Sequence, residues 1–331
     1  MELFKGINQI KLPLLKVGPE NVNVYIVEGN DGNLLIDTGW NTPEAFNALA
    51  QEMKNSGFAM KDITDIAVTH FHPDHIGLAG KIAEISGAKI ALSAIENYLF
   101  DSRYTHPESL ISELIVFYMA NGVPDWELKM LAEASFNIRS YVSPFKASML
   151  LKDGDVISMA PYEFKVMAAP GHSPGHICLY EPNKKYFFSG DHVLPEVVPN
   201  IGYHVQSGEN PLGDYVKSLN MLSELEVRFI FPGHGSVFSG LAPKIDDIMR
   251  VHRDRMTRIQ RVMGVETRNA YDVAKSIPWI INGEETAYDK LEPIDRRLAV
   301  LETLAHLQYL VAENKGKKIV EGEKTVYWSG E

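Results

Sequence analysis

The chain has 331 residues, 45% hydrophobic and 23% charged, which fits a soluble globular protein of two domains or one large domain with an appendage. A single cysteine, Cys178, excludes an internal disulfide framework and fits a reducing compartment; no apolar run reaches the roughly 18 residues of a membrane span, so a cytoplasmic protein is expected. Net charge is −11, and residues 241–331 hold 15 basic and 15 acidic side chains; the whole excess therefore lies on residues 1–240, an acidic body that repels nucleic-acid phosphates on average.

The opening stretch, MELFKGINQIKLPLLKVG, lacks the pattern of a secretory signal. Ile7–Leu15, Asn21–Gly29 and Gly32–Gly39 read as strands separated by Gly, Pro and Asn turns. A helix is predicted after Thr42, its N-cap, with Pro43 at the first helical position and Gly57 as the stop. Ile63–His70 reads as a buried strand, His75–Gly87 as one helix and Ala88–Ser93 as another strand, an alternation that predicts a layered α/β domain. Residues 94–146 are helical and aromatic and read as an insertion; Tyr98, Phe100, Tyr104, Phe117, Tyr118 and Trp126 supply either a pocket wall or the insertion's own core. Strands resume at 148–159, 162–171, 176–183, 185–191 and 227–233, and from 241 three helices (241–264, 267–277 and 293–316) precede a hairpin at 317–328, the layout of a winged helix.

THFHPDHIGLAG places His70, His72, Asp74 and His75 within six positions directly after a predicted strand. Imidazole and carboxylate are the ordinary ligands of zinc and also suit iron and manganese. No regular strand or helix points all four side chains one way, but a tight turn at Pro73 splays them to two sides, which implies two metals. Further donors stand at strand ends beside glycine: His172 in APGHSPGH, Asp191 in SGDH and His234 in FPGHG. The expected assignment is His70, His72 and His172 on one metal, Asp74, His75 and His234 on the other, and Asp191 bridging. His176 and His192 are read as supporting the ligands, His252 and His306 as structural, and Cys178 as a core residue.

With IDTG at 36–39, THFHPDH, and the glycine-flanked His172, Asp191 and His234, the chain resembles the five-motif signature of the metallo-β-lactamase superfamily, over roughly residues 8–240. The resemblance implies an αββα sandwich with the site at one edge of two facing sheets, and Asp37 steadying the ligand loop without being a ligand. It further implies two divalent metal ions, zinc first with iron or manganese as alternatives, and attack by a metal-bridging hydroxide. Asp74 is the ligand that also orients that nucleophile. Class B β-lactamases of this fold usually carry cysteine where Asp191 stands, which argues against antibiotic hydrolysis; the ligand set is similar to that of glyoxalase II.

The tail motifs HRDRM, AYDVAKSI and ETLAHLQYL resemble the winged-helix tail of the lactamase-like hydrolases, a group that includes a single-strand endoribonuclease. The expected architecture is thus a catalytic domain at 1–240, with the insertion at about 94–146, and a winged-helix-like domain at 241–331. The expected reaction is hydrolysis of a small ester, thioester or lactone; the alternative is RNA phosphodiester cleavage, disfavoured by the acidic body and charge-balanced tail. Tyr203, His204 and His106 are candidates for substrate contact, a small molecule is the expected partner, and homodimerisation through the tail is the further expectation.

Overall fold

The computed structural model describes residues 2–14, 20–264, 266–281 and 283–328. The described residues cluster into two compact units, the first formed by 1–105, 138–199 and 220–245 and the second by 106–137, 200–219 and 246–331.

In the first unit one sheet runs β1 (Glu2–Phe4), β2 (Ile7–Pro13), β3 (Asn21–Glu28), β4 (Asn33–Ile36), β5 (Ile63–Ala67), β6 (Lys89–Ser93) and β7 (Met149–Leu151) in spatial order. Pairing is antiparallel from β1 to β4 and parallel from β4 to β7. Parallel neighbours need crossovers, and helices supply them: α1 (Pro43–Asn55) between β4 and β5, then α2 (Pro73–Ile76) and α3 (Ala79–Ser86) between β5 and β6, with α4 (Ala94–Phe100) following β6. The second sheet contains β8 (Val156–Met159), β9 (Tyr162–Ala168), β10 (Ile177–Glu181), β11 (Tyr186–Gly190) and β12 (Phe229–Pro232), in the order β12-β11-β10-β9-β8. Only β11 and β12 pair parallel in it, so both end at the same edge.

Side-chain alternation explains why the sheets stack. On β3, Val22, Val24 and Ile26 face a core shared with Ala45, Leu49 and Met53 of α1 and Ile82 of α3. Tyr25 and Val27, pointing the other way, join Phe164, Val166, Leu179, Phe188 and Phe231 of the second sheet. A strand buried on both faces is apolar almost throughout, which is the composition of NVNVYIVE. Between the sheets Tyr25 meets Phe188 edge-on, with centroids 5.2 Å apart. The observed fold is the expected helix-flanked α/β sandwich.

Local signals in the first unit mostly hold. Thr42 caps α1, its hydroxyl accepting from the Ala45 amide at 3.1 Å, and Pro43 opens the helix. The expected strand from Ile7 ends at Pro13; its last expected residue, Leu15, lies outside the described residues. Two elements differ from the sequence reading. The single helix predicted over His75–Gly87 is two, because Leu78 donates its amide to the Gly39 carbonyl at 3.0 Å. At Gly77 a Cβ would lie 2.4–2.7 Å from the carbonyl oxygens of Pro73, Tyr141 and Gly39, so the chain passes closer than any side chain permits. The strand predicted over 148–159 is also two, in different sheets. Asp155 accepts from the Lys152 amide and Asp153 from the Ala168 amide, both at 2.8 Å, around a left-handed Gly154 with φ of 84°.

The second unit contains α5 (Glu108–Ala120), α6 (Asp125–Phe136), most of α7 (Pro211–Ser223) and α8 (Leu241–Met263), α9 (Ala270–Ser276), a hairpin of β13 (Trp279–Ile281) and β14 (Glu284–Thr286), α10 (Pro293–Ala312), and a hairpin of β15 (Lys317–Glu321) and β16 (Lys324–Trp328). The β13–β14 hairpin was not read from the sequence, although Gly283, with a φ of 83°, is a turn signal between its strands. One core joins Leu110, Leu114 and Tyr118 of α5 and Leu131 of α6 to Ile259, Val273, Val300, Leu304 and Tyr327. The insertion's α5 and α6 therefore pack with the tail helices. Of the aromatics singled out, Tyr118 is buried and Phe117 half-buried in this core, Phe100 is buried and Tyr104 half-buried in the first unit, and Tyr98 and Trp126 are exposed.

Two polar devices sit inside the second unit. Glu127 of α6 is fully buried and accepts from Tyr271 at 2.6 Å and from Tyr288 and Arg296 at 3.3 Å. His306 of α10 and His252 of α8 form the other: His306 Nδ1 donates to the Glu302 carbonyl at 2.8 Å, so its Nε2 must accept from His252 Nδ1 at 3.2 Å. His252 Nε2 is then a bare lone pair, buried with no hydrogen-bond partner among the described residues. Protonating it would create a donor without an acceptor. Burial, followed by the neighbouring ring, holds His252 down at about 3, and burial holds His306 at about 4.

The sign of the consequence follows from linkage. Between the folded values and the ordinary 6.5, the unfolded chain binds protons that the folded chain refuses, so stability is full above pH 6.5 and declines as pH falls. Metal-saturated protein unfolded by urea should lose stability from pH 6.5 to 4.5 at up to about 1.4 kcal/mol per pH unit for each proton. His306→Gln should flatten that slope; an unchanged slope would mean the pair does not titrate as described.

Candidate metal centre

The sequence cluster begins two residues beyond β5. Thr69, His70 and Phe71 are buried, and His72 precedes Pro73, the first residue of the single-turn α2. Asp74 and His75, adjacent on α2, bring their side-chain ends together, His75 Nε2 lying 3.6 Å from Asp74 Oδ2. His172 lies in the loop from β9 to β10, Asp191 directly after β11, and His234 two residues after β12.

These strand ends bring all seven predicted donors together. His72 Nδ1 lies 2.9 Å from His70 Nε2 and 3.0 Å from His172 Nε2. His234 Nε2 stands 3.2 Å from Asp74 Oδ2, and His75 Nε2 stands 3.6 Å from the same oxygen. Asp191 faces both groups: Oδ1 is 3.4 Å from His75 Nε2, while Oδ2 is 3.3 Å from His234 Nε2 and 3.8 Å from His172 Nε2. Three sets could each hold a metal ion: His70, His72 and His172; His70, His75 and Asp191; and Asp74, His75 and His234.

Hydrogen bonds decide which ring nitrogens carry lone pairs into the cluster. Asp37 accepts from His75 Nδ1 at 2.8 Å, from the Thr69 amide at 2.8 Å and from the Thr69 hydroxyl at 2.9 Å. With its proton committed to Asp37, the Thr69 oxygen accepts from His70 Nδ1 at 3.0 Å. One carboxylate thus sets His75 directly and His70 through Thr69, the arrangement that orients metal-binding imidazoles. His234 Nδ1 donates to the Asn21 carbonyl at 2.8 Å. The Nε2 atoms of His70, His75 and His234 are left facing the cluster, and no single proton can satisfy the three nitrogens that meet at His72.

The electrostatics divide the cluster. Burial, then the neighbouring rings, pushes His70 and His72 well below the usual imidazole range, which keeps them neutral and lone-pair bearing. Burial also acts against charge on His234 and His75, but the surrounding carboxylates outweigh it, holding His234 up at about 10 and raising His75 well above the usual range, so a cation bound there takes the place of protons on these two Nε2 atoms. His75 Nε2 and Asp191 Oδ1 are buried without a hydrogen-bond partner among the described residues. Buried lone pairs and carboxylate oxygens aimed at one another are costly unless a cation lies among them, so the donor set fits a divalent metal.

Glycine makes the space. At Gly233 a Cβ would lie 2.3 Å from Asp191 Oδ1 and 2.7 Å from the His75 ring, so any larger residue would displace two of the donors. His176 is buried and its Nε2 accepts from the Asp191 amide at 3.2 Å, a supporting role as expected. Cys178 is buried and donates to the Ser189 carbonyl. Tyr203, His204 and His106 belong to the second unit. There Tyr203 packs against Phe117 and donates its amide to the Leu301 carbonyl at 2.9 Å, His204 Nδ1 accepts from the Gln206 amide at 3.2 Å, and His106 is exposed.

Two supporting residues escaped the sequence reading. Asn23 Nδ2 donates to the Pro232 and Gly235 carbonyls at 2.9 and 2.8 Å, pinning the His234 loop to β3. Glu96 accepts from the amide of Phe71, the residue between His70 and His72, at 2.7 Å. Buried polar residues inside apolar or helical segments were the available signal, but their partners are distant in sequence.

Residues 17–234 match the family model of the metallo-beta-lactamase superfamily. The chain belongs to that superfamily. It is a hydrolytic enzyme of the metallo-beta-lactamase fold, and its relatives include a probable metallo-hydrolase, YqjP, of Bacillus subtilis, 26% identical over 327 residues and covering 93% of each chain. The acyl-coenzyme A thioesterase MBLAC2 of Gallus gallus is 29% identical over 232 residues, covering 65% of this chain and 73% of that protein. Among solved structures, a metallo-beta-lactamase family protein of Thermus thermophilus superposes with a TM-score of 0.85 at 26% identity, covering 99% of this chain and 100% of that one. No helix among the described residues is long and apolar enough to cross a membrane.

If Asp37 sets two imidazoles of this superfamily site, Asp37→Asn should weaken divalent-metal binding by about 10–100-fold while the protein stays folded. Titration of chelator-stripped protein, with circular dichroism as the folding check, measures this; wild-type affinity in the variant would refute the role.

Proposed function

We propose that this superfamily member is a dinuclear metal-dependent hydrolase acting on a small thioester. The observation that carries the dinuclear reading is Asp191, whose carboxylate stands between the two donor groups, 3.4 and 3.3 Å from His75 and His234 of one and 3.8 Å from His172 of the other. His70, His72 and His172 would hold one ion, Asp74, His75 and His234 the second, with Asp191 shared; zinc is the first expectation. When bound, such ions acidify water to a pKa of about 7 and polarise a carbonyl oxygen.

The chain's own residues do the rest. Asp37 and Thr69 keep His70 and His75 in the lone-pair tautomer. Asp74, part-exposed at the mouth of the cluster, orients the attacking water and accepts its hydrogen bond. Similarity to an acyl-coenzyme A thioesterase over 65% of the chain supports the thioester class. Hydrolysis then consumes one water and yields a carboxylic acid and a free thiol. The tail is proposed as a winged-helix-like element that serves packing and homodimerisation, in a cytoplasmic protein.

The test is thiol release from acyl-coenzyme A substrates of graded chain length, followed with a thiol-reactive dye. Activity should disappear on chelation and return with zinc, and His72→Ala and Asp191→Ala should each lower kcat/KM by at least about 10³-fold. Full turnover in either variant would refute the assignment. Cleavage of single-stranded RNA in place of thioesters, with binding that falls steeply as salt rises, would move the enzyme to the ribonuclease reading.

A further inference from the structure

Glu96 is fully buried three residues beyond the end of β6, in the first turn of α4. Its two oxygens address different parts of the chain. Oε2 accepts from the Phe71 amide at 2.7 Å, between His70 and His72. Oε1 accepts from the Ser173 hydroxyl at 2.9 Å and the Gly175 amide at 2.6 Å, immediately after His172. Ser93 reinforces the junction: its oxygen caps the Glu96 amide at 3.2 Å and donates to the Gly175 carbonyl at 2.7 Å. A Cβ on Gly175 would lie 2.5 Å from that Ser93 oxygen and 2.9 Å from the Glu96 amide, so the loop is drawn hard against the start of α4.

The three histidines of the first donor group thus stand on two segments about a hundred positions apart, and one buried carboxylate ties the segments together. The other donor group has different ties, Asp37 on His75 and the Asn21 carbonyl on His234. Burying a carboxylate is costly, and an apolar side chain would fill the same space without that cost. What an apolar residue cannot do is hold two sets of backbone and hydroxyl donors at a fixed separation.

We propose that Glu96 is a positioning residue that fixes the spacing of the His70–His72 segment against His172, and so sets the affinity of that donor group for a divalent ion, selectively over the Asp74–His75–His234 group. It touches neither ion nor substrate. This inference rests on the dinuclear reading above, and its test is arranged so that the two can fail separately.

The experiment is a zinc titration of chelator-stripped full chain, with chelator competition resolving the two binding steps, on wild type, Glu96→Gln, His172→Ala and His234→Ala. The two histidine variants identify which step belongs to which group. Glutamine has one carbonyl oxygen. Whichever segment it serves, its amide faces a backbone N–H of the other, so the conservative variant cannot restore the tie. The expected result is that Glu96→Gln weakens the step lost in His172→Ala by about 10–100-fold and leaves the step lost in His234→Ala unchanged. Should Glu96→Gln fail to fold, Ser173→Ala removes one donor to the carboxylate and should shift the same step in the same direction. Wild-type binding in these variants, or equal weakening of both steps, would overturn the role of Glu96. Wild-type protein that takes up two ions while Glu96→Gln behaves identically leaves the dinuclear reading standing; wild-type protein that takes up none removes both.

Discussion

The structure depends on a concentration of buried imidazoles and carboxylates at one edge of the sandwich, which holds positive charge in its midst, as protons on His75 and His234 or as a bound cation. His70, His75 and His234 carry their protons outward, to Thr69, Asp37 and the Asn21 carbonyl, so their remaining nitrogens point inward toward Asp74, Asp191 and one another. In water such an arrangement would relax by rotating rings and recruiting solvent. At the closed end of a two-sheet sandwich it cannot, because the rings are buried and their outer nitrogens are already bonded. Buried carboxylates and imidazoles packed this closely need positive charge among them, and that need explains why this edge of the sandwich is built as it is.

The sandwich meets the need through rigidity. Strands β5, β9, β11 and β12 deliver their ends to one edge because β11 and β12 run parallel and because Tyr25, Phe188 and Phe231 lock the two sheets together. Each segment leaving those ends is tied by a polar side chain to a neighbouring element: Asp37 to Thr69 and His75, Asn23 to the His234 loop, His176 to Asp191, and Glu96 to the segments on either side of it. These ties are mostly buried, where a hydrogen bond holds position most firmly. Donors are thereby preorganised, and little ordering is left to be done when an ion arrives.

The second unit follows a different logic. Its core is made jointly by helices from the insertion, α5 and α6, and by helices from the tail, with Glu127 joining Tyr271, Tyr288 and Arg296 across them. Neither stretch has enough apolar surface of its own: α5 buries Leu110, Leu114 and Tyr118 against residues that lie more than a hundred positions further on. Reading the chain linearly separates the insertion from the tail, whereas burial brings them together.

The donors were legible because metal ligation needs particular residue types at strand ends and because four of them fall within six positions. The Thr42 cap, the left-handed Gly57 and the alternation of β3 were legible for the same reason, since each is a local steric or hydrogen-bonding rule. The break at Gly77, the split at Asp153–Asp155, the identity of Glu96 as a tie and the shared core of insertion and tail were not. Each depends on an atom supplied from elsewhere in the fold: the Gly39 carbonyl, the Ala168 amide, the Ser173 hydroxyl, the face of α10. By itself the sequence determined which residue types could bind an ion and where most strands and helices of the first unit would lie. Only the tertiary structure decided which donors share a site, which nitrogens face inward and what holds them there, because long-range packing, unlike propensity, acts between residues that the chain order keeps apart.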